Sequence, residues 1–96
     1  MPRRKVQRLA GRQSDELVRE VVAAVVPAED RARYMTFARE LCATLKRRPG
    51  INYTRRTKAV ITRWFRRGLH GHLLWRIGAG LLARLYPDAA SGKVND

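Results

Sequence analysis

The chain has 96 residues, 45% of them hydrophobic, which fits a single small domain with a modest core. Its single cysteine, Cys42, excludes an intramolecular disulfide, and Arg76 and Arg84 interrupt the most apolar segment, which excludes a membrane-spanning helix. A formal net charge of +13 opposes compaction through self-repulsion, so the composition predicts a partner that carries negative charge.

A basic arm, residues 1–13, precedes the first predicted helix. It contains no acid, and its basic start is not followed by the apolar stretch of a secretory signal. We expect the arm to be flexible and to contact an anionic partner alongside the domain. Its basic residues are Arg3, Arg4, Lys5, Arg8 and Arg12.

Two amphipathic helices are predicted next, and acids mark the beginning of each. Ser14 is a good N-cap for the first, which ends near Val26, and Pro27 separates the two. The second runs from about residue 28 to residue 46 or 47, before Pro49 and Gly50. Residues three and four apart define the apolar faces: Leu17, Val18, Val21, Ala24 and Val25 in the first helix, and Tyr34, Phe37, Ala38, Leu41 and Leu45 in the second, with Cys42 beside them as a small buried side chain.

The segment INYTRRTKAVITRWFRRGLHGH, residues 51–72, holds six basic residues and no carboxylate. It predicts a third helix from about Asn52, a potential N-cap, to Arg67, before Gly68. At 100° per residue, the apolar side chains and the cations occupy complementary arcs of this helix. We therefore expect Trp64 and Phe65 to anchor the helix in the core while the cations face outward. The apolar arc holds Tyr53, Thr57, Val60, Ile61, Trp64 and Phe65, and the opposite arc holds Arg55, Arg56, Lys58, Arg63, Arg66 and Arg67.

A fourth helix is predicted from residue 69 or 72 to Tyr86, and Pro87 ends it. It is apolar over most of its circumference, which is typical of a helix at the centre of a bundle or between subunits. Gly78 and Gly80 each lower its helix propensity by about 1 kcal/mol, which a close helix crossing would justify. We expect a homo-oligomer or helical assembly through the stretch from Leu73 to Leu85.

The expected fold is all-α: a small four-helix bundle-like domain over residues 14–87, with the flexible basic arm before it and a polar tail at residues 88–96. The sequence offers no catalytic constellation, because it lacks paired carboxylates and a Gly-rich phosphate loop. His70 and His72 have no partners for a metal site. We therefore expect neither an enzyme nor a bound cofactor or metal.

Residues 41–87 contain eleven basic residues and no acid, which indicates a surface for a polyanion. Arginine outnumbers lysine 17 to 4 in the chain, and its planar guanidinium can hold two phosphate oxygens at once. Asn and Gln, which read base edges, are scarce on the third helix. We expect sequence-independent coating or packaging of duplex DNA, favoured over RNA. The arm would assist a phosphate-facing set of Lys46, Arg47, Arg48, Arg55, Arg56, Lys58, Arg63, Arg66 and Arg67.

A basic arm ahead of a small four-helix domain resembles the layout of the coat proteins of filamentous archaeal viruses, which wrap their genomes as helical nucleocapsids. The resemblance lies in the layout of the chain and not in a motif. It implies a nucleocapsid, coat or chromatin-like role, with a location in the virion or, for a cellular protein, in the cytoplasm or nucleoid.

Three other interpretations use the same residues. A helix-turn-helix regulator could be built around RPGIN, residues 48–52, although Arg56 stands where that motif has a buried aliphatic side chain. Structured RNA, including ribosomal RNA, offers the same phosphates. An anionic membrane is the least favoured partner, because the third helix needs its apolar face for the core.

Overall fold

The computed structural model of this chain describes residues 2–47 and 52–87, and for residues 2–13 it describes the backbone alone. The elements are α1 (Pro2–Val25), a 3₁₀ turn (Ala28–Asp30), α2 (Arg31–Arg47), α3 (Tyr53–Phe65) and α4 (Gly71–Leu85). Because these ranges contain four helices and no strand, the predicted all-α class is confirmed. The predicted polar tail, residues 88–96, lies outside the described residues.

The predicted start of the first helix at Ser14 is wrong, because α1 begins at Pro2 and passes through Ser14 without interruption. The basic arm is therefore a continuation of α1. Most of its side chains belong to good helix formers such as Arg, Lys, Gln and Leu, and Gly11 is the single glycine among them. Pro2 lies in the first turn of α1. A backbone N–H group at that position would have no acceptor within the helix, so proline, which lacks this group, is tolerated there. Ser14 accepts a hydrogen bond from the Lys46 ammonium of α2 and does not cap the helix.

The helices enclose one hydrophobic core. α2 and α4 each pack against the other three helices, and α1 and α3 lie mainly against these two. Ala24 of α1 was expected on the apolar face but is exposed, whereas Val22 of α1 and Val26, just after the helix, are buried. Cys42 is 3% exposed, and burial raises the pKa of its thiol, as befits a core side chain. The core comprises Val18, Val21, Val22, Val26, Tyr34, Phe37, Ala38, Leu41, Cys42, Leu45, Val60, Ile61, Leu69, Leu74, Ile77 and Leu81.

Two glycines allow α4 to approach its neighbours closely. A Cβ atom on Gly80 would lie 2.9 Å from Cγ1 of Val21 in α1, and one on Gly78 would lie 3.1 Å from Cγ2 of Thr57 in α3. The predicted close crossing is confirmed, and it lies within the chain. Contacts with three helices of the same chain bury Leu74, Ile77, Gly78 and Leu81 of α4. Assembly through the stretch from Leu73 to Leu85 stays a prediction.

A tight turn fixes the direction of α4 relative to α3. Gly68 has φ 101°, and its N–H group donates to the Phe65 carbonyl at 3.0 Å while that of Leu69 donates to the Trp64 carbonyl at 3.4 Å. These are the bonds of a Schellman motif, in which the left-handed position favours glycine. The N–H group of His70 then donates to the hydroxyl of buried Tyr34 at 3.0 Å, which ties the start of α4 to α2.

None of the helices in the described part of the chain has both the length and the apolarity needed to cross a bilayer.

The glycine contact between α4 and α1 can be tested by a double-mutant cycle. We expect Gly80→Ala to lower the free energy of unfolding by about 1–2 kcal/mol, because overpacking against Val21 outweighs the gain in helix propensity. In a Val21→Ala background the same substitution should be neutral or stabilising. Urea denaturation measures both effects, and a stabilising Gly80→Ala in the wild-type background would contradict the close approach.

Candidate nucleic-acid interface

The outer face of α3 and the turn that follows it carry cations that no carboxylate of the described residues neutralises. Arg55, Lys58 and Arg66 are exposed, and within residues 2–47 and 52–87 their side chains form no ion pair. Arg67 follows them at the C-terminal end of the helix and is also exposed. We call these four residues the α3 cationic face.

Three other cations of the predicted phosphate-facing set have partners inside the chain. Half-buried Arg56 donates a hydrogen bond to the carbonyl of Thr44. This bond satisfies an acceptor in the last turn of α2 that has no partner within the helix. Lys46 donates to Ser14, and Arg63 pairs with the carboxylate of Glu40 in α2. The predicted set thus divides into cations that connect helices and cations that face solvent. Sequence periodicity does not distinguish the two groups, because the division depends on what lies opposite each side chain.

The remaining predicted cations lie near the ends of the described ranges. Arg47 is exposed at the end of α2. Arg48 lies outside the described residues, and so do the side chains of the arm, namely Arg3, Arg4, Lys5, Arg8 and Arg12.

Glu40 connects α2 to two adjacent residues of α3. Its Oε1 accepts a hydrogen bond from the indole Nε1 of Trp64 at 3.1 Å, and its Oε2 accepts one from Arg63. The half-buried Trp64 ring and the Phe37 ring form a T-shaped pair with centroids 6.4 Å apart, and the guanidinium of Arg67 lies 4.5 Å from the Trp64 centroid. Trp64 therefore anchors α3 as predicted, and it helps to position Arg67 through a cation–π contact.

The prediction that Phe65 is a core anchor is wrong, because its side chain is 60% exposed. On the helical wheel Phe65 lies at the border of the apolar arc beside Lys58, and it is the last residue of α3, where the helix leaves the core. Its ring lies over Gly71 at the start of α4, where a Cβ atom would be 3.4 Å from Cδ1 of Phe65.

Trp75 in α4 is the functional candidate that periodicity did not identify, and it is 44% exposed. On the helical wheel of α4, Trp75 lies about 100° from Leu74, outside the buried arc of Leu74, Ile77 and Leu81. This position could have identified Trp75 as an exposed side chain from the sequence. Together the two exposed rings flank a groove of about 240 Å³ between α3 and α4. The groove is lined by Lys58, Ile61, Thr62, Phe65, Gly71 and Trp75.

The described carboxylates that form ion pairs lie on α1 and α2. Asp15 pairs with Arg19 at 3.1 Å and with Arg39 at 3.4 Å, and Glu20 pairs with Arg84 at 3.1 Å. Exposed pairs such as these contribute little to stability, about 0–1 kcal/mol each, but they place a carboxylate beside Arg19, Arg39 and Arg84. No carboxylate in the described part of the chain pairs with the α3 cationic face.

This arrangement suits anion binding. Among the described side chains, no group of three or more His, Cys, Asp or Glu could hold a metal ion.

Comparisons with protein-family models, with curated proteins and with solved structures give no match to this chain.

The anchoring role of Trp64 predicts a stability difference between the two tryptophans. Trp64→Ala should lower the free energy of unfolding by about 2–4 kcal/mol, because it removes the Phe37 contact and the hydrogen bond to Glu40. Trp75→Ala serves as the control and should cost less than about 1 kcal/mol, since that ring is largely exposed. Equal losses in urea denaturation would show that the two rings are packed alike.

Proposed function

We propose that this chain is a structural nucleic-acid-binding protein that coats or packages duplex DNA without reading its sequence. The observation that carries the proposal is the α3 cationic face, whose cations Arg55, Lys58 and Arg66 have no carboxylate partner in the described part of the chain. Free cations on an anchored helix are available to replace the counterions of a phosphate backbone. The proposed activity is binding and not catalysis.

The dimensions of α3 suit a duplex. Arg55 and Arg66 are eleven residues apart, which is about 16 Å at 1.5 Å per residue. A DNA duplex carries one negative charge per about 1.7 Å of its axis, so this span offers phosphates to every cation of the face. The hydrogen bond to Glu40 and the burial of Val60 and Ile61 hold the helix in place, so little order needs to be gained on binding.

The exposed side chains of α3 favour backbone contacts over base reading. The charged side chains at the exposed positions of α3 are Arg55, Lys58 and Arg63, and the helix contains no Asn or Gln. The alternative of a helix-turn-helix regulator is less well supported, because half-buried Arg56 occupies the position of an expected core aliphatic and bonds to Thr44. Membrane attachment is also disfavoured, since the apolar face of α3 packs inside the domain.

In a coating role, many copies would lie along one nucleic acid. The high net charge keeps free copies apart and is neutralised only when phosphate is present. Assembly through α4 and a location in the nucleoid, the cytoplasm or a virion belong to this proposal. Structured RNA is the second candidate partner, because its phosphates fit the same cations.

The first test compares two variants of equal net charge. Arg55→Glu/Arg66→Glu should weaken binding to unrelated duplexes by roughly ten-fold or more and reduce the slope of log K against log salt by about two, because two phosphate contacts are lost. The matched control, Arg19→Glu/Arg33→Glu, changes the charge equally on α1 and at the start of α2 and should retain more affinity. Fluorescence anisotropy over a salt series measures both quantities.

Equal losses in the two variants would show that net charge alone, and not the α3 cationic face, attracts the duplex. Binding to a single sequence would favour the regulator. Tighter binding to structured RNA would make RNA the partner, and binding to anionic vesicles would favour the membrane.

Removal of the carboxylate that pairs with Arg63 should have the opposite effect. Glu40→Gln keeps an acceptor for the Trp64 indole but frees Arg63, so affinity for duplex DNA should rise and the salt slope should steepen by about one. The control Glu20→Gln makes the same change in net charge but frees Arg84, the α4 residue that pairs with Glu20 of α1. It should leave the salt slope closer to that of the wild type. The same anisotropy titrations measure the affinity and the salt slope of both variants. A larger gain in affinity from Glu20→Gln than from Glu40→Gln would contradict the placement of the interface.

A further inference from the structure

We propose that the groove between Phe65 and Trp75 stacks unpaired nucleobases, so that the α3 side of the domain holds single-stranded nucleic acid by its bases as well as its phosphates. This inference rests on the proposed function, because it assigns a second kind of contact to the same nucleic-acid surface. It also goes beyond that function, since phosphate contacts alone do not favour a single strand over a duplex.

The shape of the groove depends on the missing side chain of Gly71. The Phe65 ring lies against Gly71, and Trp75 follows four residues later, one turn along the same side of α4. Ile61 and Thr62 line the α3 side. A Cβ atom at Gly71 would lie 3.4 Å from Cδ1 of Phe65, so a large side chain at this lining position would fill part of the groove that glycine leaves open.

Two large aromatic side chains that border one groove are stronger evidence for a binding site than a single exposed aromatic side chain. Scattered exposed apolar residues are common, whereas adjoining ones mark binding surfaces. Trp64, the neighbour of Phe65, is tied to Glu40 and to Phe37, so it is engaged inside the domain. Phe65 and Trp75 remain available to solvent at 60% and 44% exposure.

The charge around the groove identifies the occupant. Lys58 lines it, Arg66 follows Phe65 in the chain, and Arg76 follows Trp75. None of these three cations forms an ion pair within residues 2–47 and 52–87. An occupant that matches both the apolar rings and these cations combines an apolar part with an anionic part. A nucleic-acid strand with accessible bases has this combination, and aromatic rings beside a basic track are the usual means of holding one.

The experiment uses Trp75 as its own reporter. Trp64→Phe leaves Trp75 as the single tryptophan of the full chain. This variant is titrated with an oligodeoxythymidylate of about 12 nucleotides, and in parallel with an abasic strand of the same length that carries the same phosphates. We expect the thymidylate strand to quench Trp75 fluorescence and to bind roughly ten-fold or more tightly than the abasic strand, because only its bases can stack.

Three substitutions separate stacking from general apolar contact. Trp75→Leu keeps an apolar side chain without an aromatic face, and Gly71→Met fills the groove but leaves both rings and all cations in place. Both should remove the preference for the thymidylate strand, measured by anisotropy, while affinity for the abasic strand stays within about two-fold of wild type. Trp75→Phe retains an aromatic face and should keep most of the preference.

Equal affinity for the two strands, with the salt dependence of phosphate binding intact, would overturn the stacking proposal and leave the proposed function standing. The absence of binding to either strand and to duplex DNA would overturn both. Displacement of the thymidylate strand by an acidic amphipathic peptide that binds more tightly would overturn the stacking proposal and assign the groove to a protein partner.

Discussion

The close approach of α4 to its neighbours is the constraint on which the rest of the structure depends. At Gly78 and Gly80 the absence of a side chain allows Thr57 of α3 and Val21 of α1 to lie against the backbone of α4. This contact sets the depth at which α3 packs, and it decides which part of α3 is covered. A larger residue at either glycine would move the neighbouring helix outward, because packed interiors have little free space.

The distribution of charge follows from that arrangement. Six of the eight acids occur in residues 15–40, and among the described residues Asp15 and Glu20 are used in ion pairs on the α1 side. Glu40 contacts α3, where it holds Trp64 and neutralises Arg63. Within the described residues, Arg55, Lys58 and Arg66 have no carboxylate partner. Internal pairing thus separates Arg63 from these three cations, which are the basis for proposing a polyanionic partner.

Three aromatic residues near these cations have different roles because their surroundings differ. Trp64 has a hydrogen-bond acceptor in Glu40 and an aromatic neighbour in Phe37, so it is held in the domain. Phe65, one residue later, points away from the core and lies over Gly71. Trp75 lies on the outer side of a helix whose opposite side is buried. Exposed rings beside unpaired cations extend the proposed interface from phosphates to bases.

The sequence by itself determined the helical class, the number of helices and most of the core, because apolar residues three and four apart identify the buried side of a helix. It also indicated the close crossing at Gly78 and Gly80. It misplaced the start of α1, since a favourable N-cap at Ser14 does not interrupt a helix whose preceding residues also favour helix. Only the tertiary structure showed that Arg56 and Arg63 have internal partners, and that Phe65 and Trp75 are exposed. The internal partners depend on which residues of other helices lie opposite, and the periodicity of one helix does not give them. The positions of Phe65 and Trp75 on the helical wheel signalled their exposure, but only the packing of the helices decided it.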